Sequence, residues 1–181
     1  NFNIYANNLC GDPATGNGIK VTTQDIKVQG FTFPYQEILT TSSSQSTVNC
    51  ESEATVSLHH LIYGVGSSIS GDYVEVVFPP GLKYSGTLNC TANCPTVLSY
   101  VDNVDGTSTL ILTKPAGMSA GSIMDYSIGV LAKSAPVCNI TNNNIIITSY
   151  AVVDGFYCGA TQCADINFPS VKDTVNISPV L

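Results

Sequence analysis

The two histidines of the chain are adjacent, at His59 and His60 in the run TVSLHHLIY. A histidine beside a carboxylate and a serine is the arrangement that activates a serine nucleophile. Because the run alternates like a strand, the two rings point to opposite faces and at most one enters a given cleft. No G-x-S-x-G elbow is present, and the stretch GVGSSISG is typical of a turn of small residues. The histidines therefore predict no serine hydrolase.

Two carboxylates that face each other could catalyse the hydrolysis of a glycosidic bond. A glycosidase needs two of them facing each other at roughly 5–10 Å. Asp and Glu are scattered singly here, and Glu75 points away from the row formed by Val74 and Val76 in the run YVEVVF. We therefore expect no catalytic residues and no enzyme activity.

Calcium is the one cofactor that the sequence suggests. Asp102, Asn103 and Asp105 place three oxygen-bearing side chains on a turn that Gly106 closes. Calcium favours such oxygen-rich loops. The pattern falls short of the full helix-loop-helix calcium motif, and Asp-Gly is also a common hairpin turn. We expect either a calcium ion or a plain hairpin at this position.

Seven cysteines indicate an oxidising compartment, because a β-rich acidic chain uses them as disulfides. They stand at Cys10, Cys50, Cys90, Cys94, Cys138, Cys158 and Cys163. Cys90–Cys94 and Cys158–Cys163 each suit a small local loop, which leaves Cys50 and Cys138 for a long-range pair and Cys10 unpaired. The sequence does not fix this connectivity. A zinc site is disfavoured because the spacings are not those of structural zinc knuckles.

The charge balance excludes two classes of partner. The 181 residues carry six Lys, no Arg and thirteen carboxylates, for a net charge of -7. Nucleic-acid binding and polybasic membrane contact both require clustered cations, so neither is expected. No apolar run approaches the roughly 18–20 residues that cross a bilayer. The chain begins at Asn1 without a methionine, so we expect a mature or excised product.

Short alternating runs separated by Gly, Pro, Asn and Asp predict an all-β chain. The predicted strands are 18–28, 55–63, 73–78, 96–101, 107–113, 122–133, 144–153 and 171–177. Eight strands at this spacing predict a two-layer antiparallel sandwich. Between two of its runs, Pro79 and Pro80 end a strand and Gly81 lets the chain turn before Leu82 returns to the core.

The domain boundaries are predicted from one low-complexity stretch and one internal echo. Residues 40–47, TTSSSQST, suit a linker or a long surface loop. The stretches around Cys10 and Cys158 both place Cys-Gly ahead of an alternating strand. We therefore predict that residues 1–39 are the closing strands of a preceding repeat or an N-terminal β extension, and that 48–181 form one sandwich repeat.

Three stretches carry a family resemblance: VEVVFPPGLKYSG, TLILTKPAGMSAGSIMDYSIGVLAKSA and NNNIIITSYAVV. In this order they resemble the DUF11-like conserved-repeat domain of bacterial cell-surface adhesins, over roughly residues 53–155. The cysteines also make the chain similar to the surface adhesins of gliding Bacteroidota. The resemblance implies an immunoglobulin-like sandwich strung in tandem on a surface stalk. The cysteines and the Asn-rich loop before Ile145 depart from the family pattern.

These features together predict a non-catalytic module of an extracellular bacterial surface protein, acting in adhesion or as a stalk. Its expected partner is a surface ligand, protein or glycan, or a neighbouring repeat of the same chain. Two alternatives stay open: a carbohydrate-binding module of a secreted enzyme, and a structural subunit of a surface layer or filament.

Overall fold

The computed structural model describes residues 4–5, 20–21, 36–49, 52–63, 73–118, 121–133, 143–153, 157–158, 161–162, 166–167 and 170–179. The described residues contain strands, turns and bends, and among them no helix is long and apolar enough to cross a membrane. The strands, in chain order, are β1 (Ile4–Tyr5), β2 (Lys20–Val21), β3 (Gln36–Ser43), β4 (Thr47–Val48), β5 (Ala54–Tyr63), β6 (Tyr73–Phe78), β7 (Leu82–Ala92), β8 (Thr96–Asp102), β9 (Ser108–Thr113), β10 (Ile123–Ala132), β11 (Asn144–Ser149), β12 (Val152–Val153), β13 (Tyr157–Cys158), β14 (Thr161–Gln162), β15 (Ile166–Asn167), β16 (Val171–Asn176) and β17 (Ser178–Pro179).

Nine of these strands form two antiparallel sheets. One sheet has the order β3-β5-β10-β7 and the other has the order β16-β11-β6-β9-β8. The remaining strands form two-residue pairs, of which β4 with β17 is parallel. The fold is thus an all-β, immunoglobulin-like antiparallel sandwich, and the predicted fold class is confirmed.

One apolar core lies between the two sheets. Strand β6 contributes every second residue to it, and Val74, Val76 and Phe78 have no exposed surface. Strand β10 faces them from the other sheet with Met124, Ile128 and Val130. Burying one such side chain is worth about 1.5–3 kcal/mol relative to leaving it exposed. The outward rows of the strands are consequently free to carry polar side chains.

The Pro79-Pro80-Gly81 stretch is a corner between the two sheets, as the sequence predicts. Strand β6 ends at Phe78, and Gly81 has a φ of 98°, a value that L side chains rarely adopt. The Leu82 amide donates to the Pro79 carbonyl at 3.1 Å, and the Leu82 side chain is fully buried. Glu75 lies on the outward row of β6.

The sandwich begins earlier in the chain than the predicted boundary at residue 48. Strand β3 pairs with β5 along its whole length, from Gln36 opposite Tyr63 to Ser43 opposite Val56. Residues 40–43 therefore belong to a sheet and not to a linker or a surface loop, because they pair with residues 56–59 of β5. Most of residues 1–35 lie outside the described part, so a preceding repeat there stays a prediction.

Edge strands β3 and β16 meet along one side of the sandwich. The Asp173 Oδ2 atom accepts hydrogen bonds from the Thr41 amide at 2.9 Å and from the Thr41 hydroxyl at 2.7 Å. Farther along the same side, β4 pairs with β17 in parallel. A carboxylate and a short parallel ladder thus join the two sheets at this side.

Candidate functional site

The outer face of the four-stranded sheet carries two rungs of polar side chains. In the first rung, His59 of β5 lies opposite Thr40 of β3 and Asp125 of β10. In the second rung, Ser57 lies opposite Ser42 and Ser127 on the same two strands. Residues two apart on a strand share a face, so all six side chains point away from the core.

A groove of about 320 Å³ lies over these rungs, with Asn89 and Thr91 of β7 on its far wall. Each hydrogen-bonded neighbour strand is about 4.8 Å away, so the polar groups repeat across the groove at that spacing. Among the described residues of the lining, Asp125 is the only acidic side chain and none is Lys or Arg. The lining therefore combines apolar surface from residues such as Leu58 and Tyr126 with a set of uncharged polar side chains.

His59 and Asp125 form a hydrogen-bonded pair on the floor of the groove. The His59 Nδ1 atom contacts Asp125 Oδ1, and the two side chains are 45% and 40% exposed. Within the described part of the chain, no serine hydroxyl is hydrogen bonded to the His59 ring. The pair therefore lacks the nucleophile contact that a serine hydrolase requires.

Five other side chains of the groove have unused hydrogen-bonding capacity. Among the described residues, no side-chain hydrogen bond joins Thr40, Ser42, Ser57, Asn89 or Ser127 to a neighbour. Hydroxyl and amide groups each donate and accept, so the groove offers both functions to a ligand. Elsewhere on the surface comparable groups are occupied, as in the Asp173–Thr41 contact. This convergence makes the groove the candidate functional site.

A disulfide between Cys90 and Cys94 closes one end of the groove. Cys90 lies near the end of β7, and Cys94 lies two residues before β8 begins at Thr96. In the turn between these strands, Asn93 has a φ of 48°. Thr91, inside this loop, donates its hydroxyl to the Asp125 carbonyl at 3.3 Å. The pairing of β7 with β10 and the Thr91 hydrogen bond thus hold the groove wall in place, and the disulfide constrains the loop beside it. Cys10, Cys50, Cys138, Cys163 and the Cys158 side chain lie outside the described residues, so their predicted pairings stay predictions.

The second histidine points inward and belongs to a buried polar cluster. His60 Nδ1 lies 2.6 Å from Glu37 Oε1, and Lys114 Nζ lies 3.0 Å from Glu37 Oε2. The Ser149 hydroxyl donates to Glu37 at 2.7 Å, and Lys114 donates to the Tyr150 carbonyl at 2.9 Å. Glu37 and His60 lie in one sheet, whereas Lys114 and Ser149 follow or end strands of the other. The cluster therefore joins the two layers through the core.

The protonation states in this cluster follow from its contacts. Burial favours the neutral Glu37 carboxyl, but the hydrogen bond from His60 and the charge of Lys114 outweigh it and lower the pKa of Glu37 to about 2. Burial lowers the pKa of His60 as well. The neutral ring donates from Nδ1 to the carboxylate and accepts at Nε2 from the Tyr126 hydroxyl, 3.1 Å away. Burial also raises the pKa of Tyr126.

The side chains of the predicted calcium turn are hydrogen bonded within the turn or to Lys133, which directly follows β10. Asp105 Oδ1 accepts from the Thr107 amide and hydroxyl, at 3.0 and 2.6 Å. Asn103 donates to the Thr107 hydroxyl at 2.9 Å, and Asp102 Oδ1 accepts from Lys133 at 2.9 Å. In the described ranges no group of three or more His, Cys, Asp or Glu side chains is placed to hold a metal. Calcium at Asp102, Asn103 and Asp105 stays a prediction.

The period of a strand predicts that the two histidines lie on opposite faces, but it does not identify the side chains that they contact. Asp125 and Glu37 lie far from His59 and His60 in the chain, and the sheet register alone brings them together. The alternation of Thr40, Ser42, Ser57 and His59 in two neighbouring strands was the available signal. The prediction of a linker or a long surface loop over residues 40–47 obscures this signal.

No protein-family model and no curated protein matches the chain. Solved structures resemble it at low identity. A cohesin module from a Clostridium perfringens family 33 glycoside hydrolase is 11% identical, with a TM-score of 0.44 over 82% of this chain and 100% of that chain. The major pilin subunit BcpA of Bacillus cereus is 10% identical, with a TM-score of 0.47 over 80% of this chain and 40% of that one. The collagen-binding domain of a Staphylococcus aureus adhesin is 15% identical, with a TM-score of 0.36 over 81% and 99%. Likenesses of this size assign neither a family nor a ligand.

Proposed function

We propose that this domain is a non-catalytic adhesion module of an extracellular bacterial surface protein, and that the groove on the four-stranded sheet is its contact surface. The observation that carries this proposal is the convergence of Thr40, Ser42, Ser57, Asn89 and Ser127, whose side chains have no partner among the described residues. Polar groups that converge without mutual contacts are available to a ligand.

Three further features support the proposal. The Cys90–Cys94 disulfide fits an oxidising compartment, which agrees with an extracellular location. The apolar core and the buried cluster give the groove a rigid support. The His59–Asp125 pair lacks a serine contact in the described part of the chain, which agrees with binding without turnover.

Attachment of domain-coated beads tests this function. Beads displaying many copies of the full chain are flowed over surfaces coated with mucin, chitin or fibrinogen. Many weak contacts acting together make attachment measurable even at low single-site affinity. We expect attachment to at least one of these surfaces.

Two matched variants locate the contact surface. Ser127→Tyr places a ring in the groove, and Thr174→Tyr places the same ring on the outer face of the five-stranded sheet. Attachment that falls at least tenfold with Ser127→Tyr and is unchanged with Thr174→Tyr supports the proposal. Attachment to none of the three surfaces, or equal attachment of both variants, overturns it.

A structural subunit that assembles through strand pairing is the second candidate function, and one observation favours it. Strand β8 is an edge strand, and Val97, Leu98 and Val101 on it are 45%, 68% and 53% exposed. An exposed apolar edge strand invites pairing with another strand. Light scattering across a hundredfold range of concentration checks this: a mass that grows with concentration and returns to that of one chain with Leu98→Lys supports assembly, and a constant monomer mass excludes it.

A further inference from the structure

We propose that the ligand of the groove is an uncharged oligosaccharide, bound by hydrogen bonds across the two polar rungs. This inference rests on the proposed function, because it assigns a ligand class to the same surface.

A row of hydroxyl and amide groups crosses the four strands of the sheet. Ser42, Ser57 and Ser127 form one continuous rung across three strands, and Asn89 lies beyond Ser127 on the fourth strand. Hydroxyl and amide groups are matched in kind by the hydroxyl and acetamido groups of sugars, since both sides donate and accept. Neighbouring strands are about 4.8 Å apart, so the rung presents its groups at intervals similar to the width of a sugar ring. An extended saccharide lying across the strands meets one polar group per strand.

The charged side chains of the groove favour a neutral ligand over an anionic one. Asp125 lies in the lining, and the described part of the lining contains no Lys or Arg side chain that could balance an anionic ligand. The whole chain has a net charge of -7, which also repels anions. Uronic acids, sialic acids and sulfated glycans are therefore disfavoured, and neutral sugars are favoured. The same reasoning disfavours acidic peptides.

The contact with Asp125 orients the His59 ring in the groove. Because Nδ1 of His59 contacts Asp125, the ring is held on the floor of the groove with its Nε2 atom directed away from this contact. Asp125 fixes the ring in the way that a carboxylate orients imidazoles in other sites. His59 then offers a single positioned hydrogen-bonding atom to the ligand.

The expected affinity is low. Neutral hydrogen bonds each contribute about 0.5–1.5 kcal/mol net. Among the described lining residues there is no exposed aromatic ring for a sugar to stack on, since Tyr126 is buried. A handful of such bonds corresponds to a dissociation constant on the order of 0.1–10 mM. Several copies in tandem would raise the effective affinity without any new contact.

Titration of the isotope-labelled full chain, followed by amide NMR shifts, tests the ligand class. The probes are cellotetraose, maltotetraose, mannotetraose and N-acetylchitotetraose as neutral sugars, with tetragalacturonic acid as the acidic comparison. We expect saturable shifts for at least one neutral sugar, centred on Ser57, Ser127 and Asn89, and weaker binding of the acid. Stronger binding of the acid, or no saturable shift in the groove with any neutral sugar, overturns the inference.

Two double variants separate the groove from the rest of the surface. Ser57→Ala with Ser127→Ala removes two groove hydroxyls, and Thr113→Ala with Thr174→Ala removes two from the outer face of the other sheet. We expect the groove variant to bind the neutral sugar about tenfold more weakly, which corresponds to two neutral hydrogen bonds. Equal weakening by the control variant contradicts the inference.

The bead assay distinguishes failure of this inference from failure of the proposed function. If Ser127→Tyr abolishes bead attachment while no neutral sugar binds, the groove is an adhesion surface for a ligand that is not a saccharide. If beads do not attach and no sugar binds, both proposals fail.

Discussion

Lys114 Nζ lies 3.0 Å from Glu37 Oε2 in the interior of the sandwich, where both side chains are 1% exposed. The contact crosses from one sheet to the other. His60 and Ser149 also hydrogen bond Glu37, and Lys114 also donates to the Tyr150 carbonyl. Such a cluster fixes how the two layers register on each other.

Removing one member of this pair leaves a buried charge without its partner. We expect Lys114→Met to lower the free energy of unfolding by about 3–5 kcal/mol, because Glu37 then stays ionised in the core. Lys133→Met is the matched control, since Lys133 pairs with the largely exposed Asp102. Its expected cost is about 0–1 kcal/mol. Urea unfolding measures both, and equal costs would contradict the structural role of the buried pair.

Acidification is expected to destabilise the domain in two stages. The pKa of His60 is lowered in the folded state, so below about pH 6.5 the unfolded chain takes up a proton that the native ring does not. The pKa of Glu37 is about 2 when folded, against about 4.3 in an unfolded chain. Stability from Glu37 is therefore present above about pH 4.3 and is lost as the pH falls towards 2, by roughly 3 kcal/mol.

Unfolding free energies measured between pH 8 and pH 2.5 check this dependence. The variant His60→Gln is expected to lose the stage near neutral pH and to keep the acidic one. Glu37→Gln is expected to lose the acidic stage. A wild-type curve that rises on acidification, or variants that reproduce its full slope, would show that these groups do not control it.

The disulfide between Cys90 and Cys94 closes a short loop, so its removal should have a modest effect. Loop-closure entropy for five residues corresponds to roughly 2 kcal/mol. The double variant Cys90→Ser with Cys94→Ser is expected to unfold with this smaller free energy and to keep the sandwich. Amide NMR shifts should change at Thr91, Asn93 and Ile123, since Thr91 and Asn93 contact β10 from within the loop. Loss of the fold, or unchanged shifts there, would disagree with the prediction.

Gly129 of β10 is buried where a side chain would overlap Glu53 and Ser85. The sheet register shifts between Ile128 and Val130, which brings these two polar side chains over the glycine. We expect Gly129→Ala to cost about 1–3 kcal/mol, since the neighbours must move. In a Glu53→Ala background the cost should fall by at least half. Additive effects of the two changes in urea unfolding would show that Glu53 is not the obstacle.

Strands in which apolar and polar residues alternate strongly can be predicted from the sequence, whereas strands without this alternation cannot. Strand β6 has the predicted bounds because Val74, Val76 and Phe78 alternate with partly exposed residues. Strand β3 is not predicted because both rows of its second half, Thr40 to Ser43, consist of Ser and Thr, a composition that is also typical of linkers. Strand β7 was missed because Gly86, with a φ of 97°, interrupts it and most of its residues are only partly buried.

The candidate site was less predictable than the fold for a physical reason. The contact between His59 and Asp125 joins residues 66 positions apart and depends on the register of β5 against β10. That register is set by how the buried rows of both strands align in the core, which no local pattern encodes. The opposite orientations of His59 and His60 required only the period of a strand, and the structure agrees with them.

The parallel pairing of β4 with β17 has a mechanical consequence. When tension reaches the sandwich through the chain before β3 and the chain after β17, these two strands are pulled in opposite directions along their lengths. Their hydrogen bonds, and those of Asp173 to Thr41, are then loaded in shear and must break together instead of unzipping one at a time. A domain joined in this way can transmit a pulling force along the chain while the groove keeps its shape.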